Sequence, residues 1–418
     1  MKTNKLLALF LALPLLTFCS GCNGIEVNYD PDDETSYEGA ATELKSGDAV
    51  LATNPNVQKF LSEVTYPDKD YSFTKVLDYY GGFNGKKYNA DGVEDPAGVA
   101  FDWTNQPCSD VPPSYSIRWS QKAQSEGALT LHLEDNLGWA ADIPVPEGQN
   151  YINISNLVPN DSYTYKVTSA KKTIREGSFT TTGLLHQVHF SGDEGGVRNV
   201  RDLGGWKTAD GKTVKYRKLY RGGRMNDPWE TMLNDEGKKE VLIEGIGAQL
   251  DLRGNSDAMQ VAAVDGLDHC APIIEEGGKS MLVKDAAKTK QCFEFVVNSL
   301  RANKPVFFHC SLGRDRTGTL DILLLGLLGV PEGDIGKAYE VTYFAPVGYS
   351  VSSSEKKSNP EPIFKNTRKE WVYSDVVPYF WARAGVGGTF AAGVEKYLLG
   401  TAKVSQQDID DFKSMMLE

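Results

Sequence analysis

From Pro305 to Val330 the chain reads PVFFHCSLGRDRTGTLDILLLGLLGV. An apolar run short enough for a buried strand meets a compact loop with a glycine and two arginines, and a second apolar run of helical length follows at once. Such a strand belongs inside a parallel or mixed sheet, with the helix that leaves it covering one face. A short loop at this junction points backbone N–H groups inward, and the positive end of the helix adds to them. The amides of Ser311, Leu312, Gly313, Arg314, Asp315, Arg316 and Thr317 should therefore cradle an anion the size of phosphate. Cys310 stands at the floor of that cradle, where the dipole, the amides and Arg316 favour negative charge; its thiol pKa should fall, leaving a thiolate able to attack phosphorus. The planar fork of Arg316 can grip two phosphate oxygens and tighten as charge spreads in a transition state. Gly313 lets the backbone approach closely, and Gly318 is expected to let the helix start pack against the strand.

At 418 residues the chain exceeds one ordinary core, so two or three domains are expected. From 183 to 418 the texture is α/β. A helix opened by Asn234 and closed near Gly245 precedes the strand IGAQLDL; DHCAPII, a helix over 286–302 and PVFFHC follow, and Ser405 with Asp408 forms a capping box for the last helix. From 111 to 182 short alternating runs such as YSIRWS, ALTLHLED, YINISNL and YTYKVTSA, separated by turn residues, predict an all-β sandwich. Residues 54–110 open with helix-spaced apolar positions and form an accessory segment. Residues 22–53 are polar and acidic, a spacer. Residues 1–21, with Lys2 and Lys5 ahead of the apolar run from Leu6 to Phe18, have the pattern of a secretory signal peptide, shorter than a spanning helix requires.

A formal net charge of −12 weighs against a nucleic-acid partner, which usually meets a basic face. Beyond the signal, Cys108, Cys270, Cys292 and Cys310 show no CxxC spacing and are too few for a disulfide framework in so long a chain, and five scattered histidines offer no zinc pattern. No metal and no cofactor are expected.

Cys310, five intervening residues, Arg316 and Thr317, with His309 ahead, match the signature of the cysteine-dependent phosphatases. More narrowly, residues from about 185 to 418 resemble the bacterial tyrosine phosphatase family whose loop reads HCxxGKDRTG and whose domain opens near NFRDLGG. This chain has VRNVRDLGG from Val197, RKLYRGGRM from Arg217 and QLDLRG ending a strand; Arg314 replaces the usual lysine and Val200 the usual aromatic. The resemblance implies an α/β domain with a central, mostly parallel sheet flanked by helices. It further implies a phosphocysteine on Cys310, later hydrolysed by water, and phosphoryl binding by Arg316 and the loop amides. His309 and Thr317 would hydrogen-bond around the thiolate and the loop. A general acid must protonate the leaving oxygen. The resemblance points to Asp315, while Asp251, at the carboxyl end of a strand where α/β sheets place their sites, is an equal candidate whose other reading is a salt bridge with Arg253. Arg201, Asp202 and Arg221 are expected to be scaffold around the site.

The run INISNLVPNDSYTYKV resembles a fibronectin type III module, in which Tyr163 or Tyr165 would close a corner between strands. The ending CSGC resembles a bacterial lipoprotein signal, with Cys22 as the lipidated residue. Together these imply an exported enzyme of the bacterial cell envelope, tethered to a membrane on its periplasmic or surface side. Its substrate would be a phosphorylated protein or, as the runner-up, a phosphoinositide or inositol phosphate. The β-sandwich would take a protein or glycan ligand. A non-catalytic binding lipoprotein is the rival from another class.

Overall fold

The computed structural model describes residues 41–69, 86–88, 94–99, 110–120, 127–192, 196–226, 233–255, 257–347, 361–362 and 369–418. The signal expected over 1–21, Cys22, most of the spacer and Cys108 lie outside the described residues.

In chain order come β1 (Thr42–Glu43), β2 (Ala49–Leu51), helix α1 (Pro55–Glu63) and a hairpin of β3 (Lys86–Tyr88) with β4 (Glu94–Val99). Then follow β5 (Tyr115–Arg118), β6 (Leu129–Asp135), β7 (Ala140–Pro144), β8 (Tyr151–Ile154), β9 (Ser162–Ser169) and β10 (Thr173–Thr182). One sheet has the order β1-β5-β8, another β2-β10-β9-β6-β7. Alternation with period two sends Leu129, Leu131 and Leu133 of β6 inward, and likewise Tyr163, Tyr165 and Val167 of β9. They share one core with Ile117, Ile152 and Ile154 from the three-stranded sheet. Of the two candidate tyrosines, Tyr163 is the one whose hydroxyl reaches back along the chain. Its hydroxyl accepts the Val158 N–H at 2.8 Å and its ring stacks on Phe179 at 5.1 Å, whereas the buried Tyr165 hydroxyl has no hydrogen-bond partner.

Two boundaries move. Strands β1 and β2 fall inside the expected spacer 22–53 yet pair in parallel with β5 and β10, so the folded body starts by Thr42. Strands of two and three residues are too short to show alternation. Helix α1 lies in the expected accessory segment, but Val57, Phe60 and Leu61 enter the core of the α/β body, with the Phe60 ring 5.5 Å from Phe344. Asn54 starts α1 by accepting the Asn56 N–H, and Pro55 occupies the first turn, where a missing N–H costs nothing.

The α/β body contains β11 (Arg201–Asp202), β12 (Leu219–Gly222), α2 (Asp235–Ile243), β13 (Ala248–Asp251), β14 (Asp268–Cys270), α3 (Gly278–Val283), α4 (Ala286–Arg301), β15 (Val306–His309), α5 (Asp315–Leu328) and α6 (Glu332–Glu340). The sheet order is β11-β12-β15-β13-β14, all parallel except the β11 edge. Val306 and Phe308 of β15 join one core with residues of α4 and α5, while Phe307 joins another with Val241 of α2, so both sheet faces are covered. Helix α5 is buried from Thr317 through Leu328, as a helix apolar on every side must be, and each enclosed leucine contributes about 2 kcal/mol of transfer free energy. Two short strands, β16 (Pro346–Val347) and β17 (Glu361–Pro362), pair with each other. Helices α7 (Lys369–Ala384), α8 (Phe390–Tyr397) and α9 (Gln406–Met416) complete the fold. The expected caps are present: Asn234 accepts the Gly237 N–H at 2.8 Å, and Ser405 accepts the Asp408 N–H at 3.1 Å.

The sandwich is seated firmly on this body. Arg217 stacks over the Trp139 ring at 4.4 Å, pairs with Asp135 at 3.1 Å and with Glu244, and the Trp139 indole donates to the Ile243 carbonyl at 2.8 Å. Among the described residues no helix is long and apolar enough to cross a membrane.

Candidate active site

Strand β15 ends at His309, and the chain turns through Cys310–Arg314 before α5 begins at Asp315. The turn depends on Gly313. Its φ of +69° is in the left-handed region, and a Cβ there would sit 2.5 Å from the carbonyl carbon and oxygen of Gly222. The Leu312 and Gly313 carbonyls are held from behind the loop: Asn199 Nδ2 donates to them at 3.1 and 3.0 Å, and Arg221 Nη2 donates to the Gly313 oxygen at 2.6 Å. In a planar trans peptide the following N–H points opposite to the carbonyl, so these clamps aim the Gly313 and Arg314 amides toward the hollow of the loop.

Cys310 is 3% exposed. Burial would raise its pKa, but the Arg316 charge and hydrogen bonds from the Thr317 hydroxyl and amide outweigh it, and the thiol is held below its ordinary value. The buried Thr317 hydroxyl has no other hydrogen-bond partner among the described residues, which leaves its proton for the sulfur. Cys270 and Cys292 behave oppositely: burial pushes both up. The Arg316 guanidinium is steadied by Nη1 donating to the Ile274 carbonyl at 3.0 Å. Cys310, Arg316, Thr317 and the loop amides thus surround one hollow at the carboxyl edge of the sheet, whose donors and charge suit an anion.

His309 does not act on the thiol. Its Nδ1 lies 3.2 Å from the Cys310 carbonyl and its Nε2 accepts from the Gln249 amide at 2.8 Å, a pattern that fits the neutral ring. Burial lowers its pKa to about 4. It braces the loop through the backbone.

Asp251 is corrected as an acid candidate. Its carboxylate accepts from Arg253 Nε at 2.9 Å, Arg253 Nη2 at 2.7 Å, the Arg253 amide at 3.0 Å and the Met259 amide at 3.1 Å, and the side chain is fully buried. Burial works to raise its pKa, yet His309 and Arg253 hold it at about 2; with His309 neutral at ordinary pH, Arg253 is the standing counter-charge. Such a carboxylate carries no proton to give. Asp315, with its side chain 24% exposed in the first turn of α5, is the carboxylate at the loop itself, and Arg314 grips it at 2.7 and 3.1 Å.

Arg201 and Arg221 stand behind the loop. Arg221 pairs with Asp321 of α5, and Arg201 reaches the Ala338 carbonyl at 2.8 Å and the Thr342 hydroxyl at 3.1 Å. Asp202, the next residue of β11, points to the opposite face. It binds His186, the Arg217 amide and the Gly204 amide, so it supports the seat of the sandwich rather than the loop. Gly318 packs against the Tyr339 ring of α6, where a Cβ would approach to 2.6 Å, and not against the strand as expected. Asn199 was missed, although it lies inside the VRNVRDLGG motif; its φ of +60° is a conformation asparagine tolerates. Among the described residues no His, Cys, Asp and Glu side chains gather into a set able to hold a metal ion.

Comparison with known proteins agrees with this geometry. A protein of Cupriavidus necator named "Putative tyrosine-protein phosphatase" is 29% identical over 164 residues, a match that takes in 33% of this chain and 58% of that protein's length. The chain thus spans little more than half of that relative. The profile of the family described as "Tyrosine phosphatase family" matches residues 194–418, over half of the chain, including the whole loop from Cys310 to Thr317. The chain belongs to the tyrosine phosphatase family.

Proposed function

We propose that the protein is a metal-independent hydrolase of phosphate monoesters, with phosphotyrosine in proteins as the first substrate class. The observation that carries this reading is the Cys310 sulfur, its pKa lowered by Arg316 and Thr317, at the floor of an amide-lined loop. The thiolate attacks phosphorus, the P–O bond to the leaving group breaks, and the Asp315 carboxyl supplies the proton that oxygen needs. Arg314 releases Asp315 as the dianion enters and competes for its guanidinium. Water then attacks the phosphocysteine, the S–P bond breaks, Asp315 takes the water proton, and inorganic phosphate leaves. Arg316 and the amides from Ser311 to Thr317 bind the phosphoryl oxygens throughout.

In this reading residues 1–21 are a signal, Cys22 carries lipid, and the enzyme acts in the cell envelope. The sandwich is fibronectin type III-like, a kinship supported by the Tyr163 hydroxyl reaching back to the Val158 amide. The test is phosphate release from aryl phosphates, phosphotyrosine peptides and inositol phosphates by the parent and by Cys310→Ser. Activity confined to the parent supports the enzyme, and preference for inositol phosphates would replace the substrate class. Release that persists in Cys310→Ser, or is absent in both, would overturn the reading.

A further inference from the structure

The stretch leading into β5 places a buried carboxylate against Asn199, which holds the back of the loop. Asp110 is 9% exposed and lies outside the family-matched residues 194–418. Its Oδ2 accepts the Asn199 amide at 2.5 Å. Asn199 is the residue whose side chain clamps the Leu312 and Gly313 carbonyls, and whose Oδ1 accepts from Arg201. Asp110 is itself anchored. Gln187 Nε2 donates to its carbonyl at 2.8 Å, Gln187 Oε1 accepts the Asn54 amide at 2.8 Å, and Asn54 Nδ2 donates to the Val111 carbonyl at 2.9 Å.

Burial raises the pKa of Asp110, and the Asn199 amide and the charges of Arg201 and Arg198 work against that rise. Arg201 and Arg221 are buried close enough to repel each other, and negative charge on Asp321 and Asp110 offsets that repulsion. Asp321 is engaged by Arg221, so Asp110 is the second counter-charge of the pair. A backbone amide fixed by a carboxylate makes a charge-assisted hydrogen bond, stronger than a neutral one. Here it fixes a left-handed residue whose side chain must meet two carbonyls at once.

We propose that Asp110 is a positioning residue of the phosphate loop, acting through Asn199 to keep the Leu312 and Gly313 carbonyls turned outward and the Gly313 and Arg314 amides turned toward the phosphate. This rests on the reading of Cys310 as the thiol that meets phosphate. Its consequence is that the family-matched segment does not hold its own loop unaided: residue 110 completes it.

The test follows alkylation of Cys310 by iodoacetamide, read by mass spectrometry of its peptide, across pH and with inorganic phosphate as protectant. In Asp110→Ala the alkylation midpoint should rise, and about three- to tenfold more phosphate should be needed for equal protection, while Asp110→Asn, which keeps an oxygen acceptor but not the charge, should recover part of that loss. Asn199→Gly keeps the left-handed backbone and the amide to Asp110 but removes the clamp. It should reproduce the loss, and adding Asp110→Ala to it should cost nothing more. Losses that add in full would overturn the proposal, as would unchanged midpoint and protection in a folded Asp110→Ala. Should Asp110→Ala not fold, unchanged protection in Asn199→Gly alone would overturn it. If phosphate fails to protect even the parent, the phosphatase reading falls, and the midpoint shift still decides the role of Asp110.

Discussion

Replacing Asp251 by asparagine separates a structural carboxylate from a catalytic one. The side chain is fully buried and accepts two guanidinium and two backbone N–H groups. Its pKa of about 2 against an ordinary 3.8 corresponds, at about 1.4 kcal/mol for each pKa unit, to at most about 2 kcal/mol of stabilisation, the part owed to His309 being present only where that ring is charged. A folded-state pKa depressed in this way stabilises above the unfolded value, and the contribution is lost as pH falls from about 4 toward 2. In Asp251→Asn the new side chain would offer Arg253 one neutral oxygen and turn an amide toward the guanidinium, leaving a buried charge without its partner, at a cost of about 3–5 kcal/mol. Urea unfolding followed by tryptophan fluorescence at neutral pH should show that loss. The gap between parent and variant should narrow by about 1 kcal/mol at about pH 3, where the parent's own carboxylate begins to lose its advantage. The variant that remains folded should show the same relative rates on aryl phosphates of different leaving-group pKa as the parent. Undiminished stability together with a collapse of activity confined to poor leaving groups would refute the reasoning and return Asp251 to the role of acid.

Other outcomes are fixed by the same geometry. Asp315→Asn should lower kcat on phenyl phosphate by about 10²–10⁴-fold and on p-nitrophenyl phosphate far less, because a good leaving group needs little protonation; equal losses on both would contradict a proton donor at that position. Gly313→Ala adds about 1 kcal/mol of left-handed strain and a Cβ 2.5 Å from Gly222, so the loop must shift, and kcat/KM should fall about a hundredfold. A fully active Gly313→Ala would mean that the loop tolerates another path. Tyr163→Phe leaves the Val158 amide buried without its acceptor and should cost about 1–3 kcal/mol in urea unfolding; no change would remove Tyr163 as the corner of the sandwich.

What could be read in advance follows how far each interaction reaches along the chain. The loop from Cys310 to Thr317 is contiguous, so Cys310, Arg316 and the strand–loop–helix around them are written in one stretch of sequence, and so are the Asn234 and Ser405 caps. Helix α7 was not foreseen because Pro378 stands in its interior, and proline there ordinarily ends a helix. Strands β1 and β2 are too short for a pattern and exist only because β5 and β10 offer them open edges. The motif that holds Arg201 and Asp202 does not say which face each side chain takes. Strand geometry sends one to Asn199 and Ala338, behind the loop, and the other to His186. Asp110 is the extreme case, since it meets Asn199 from 89 positions away and no local spacing announces the contact.

The most direct test of the central claim is to mix the parent protein and Asp315→Asn with an aryl phosphate, quench in acid within the first turnovers, and map the bound phosphoryl group by mass spectrometry. A phosphoryl group should be found on the Cys310 sulfur, more abundant in Asp315→Asn if that carboxylate also activates the hydrolytic water, and absent from Cys310→Ser. Turnover without any adduct at Cys310, or a phosphoryl group carried by another residue, would contradict the account.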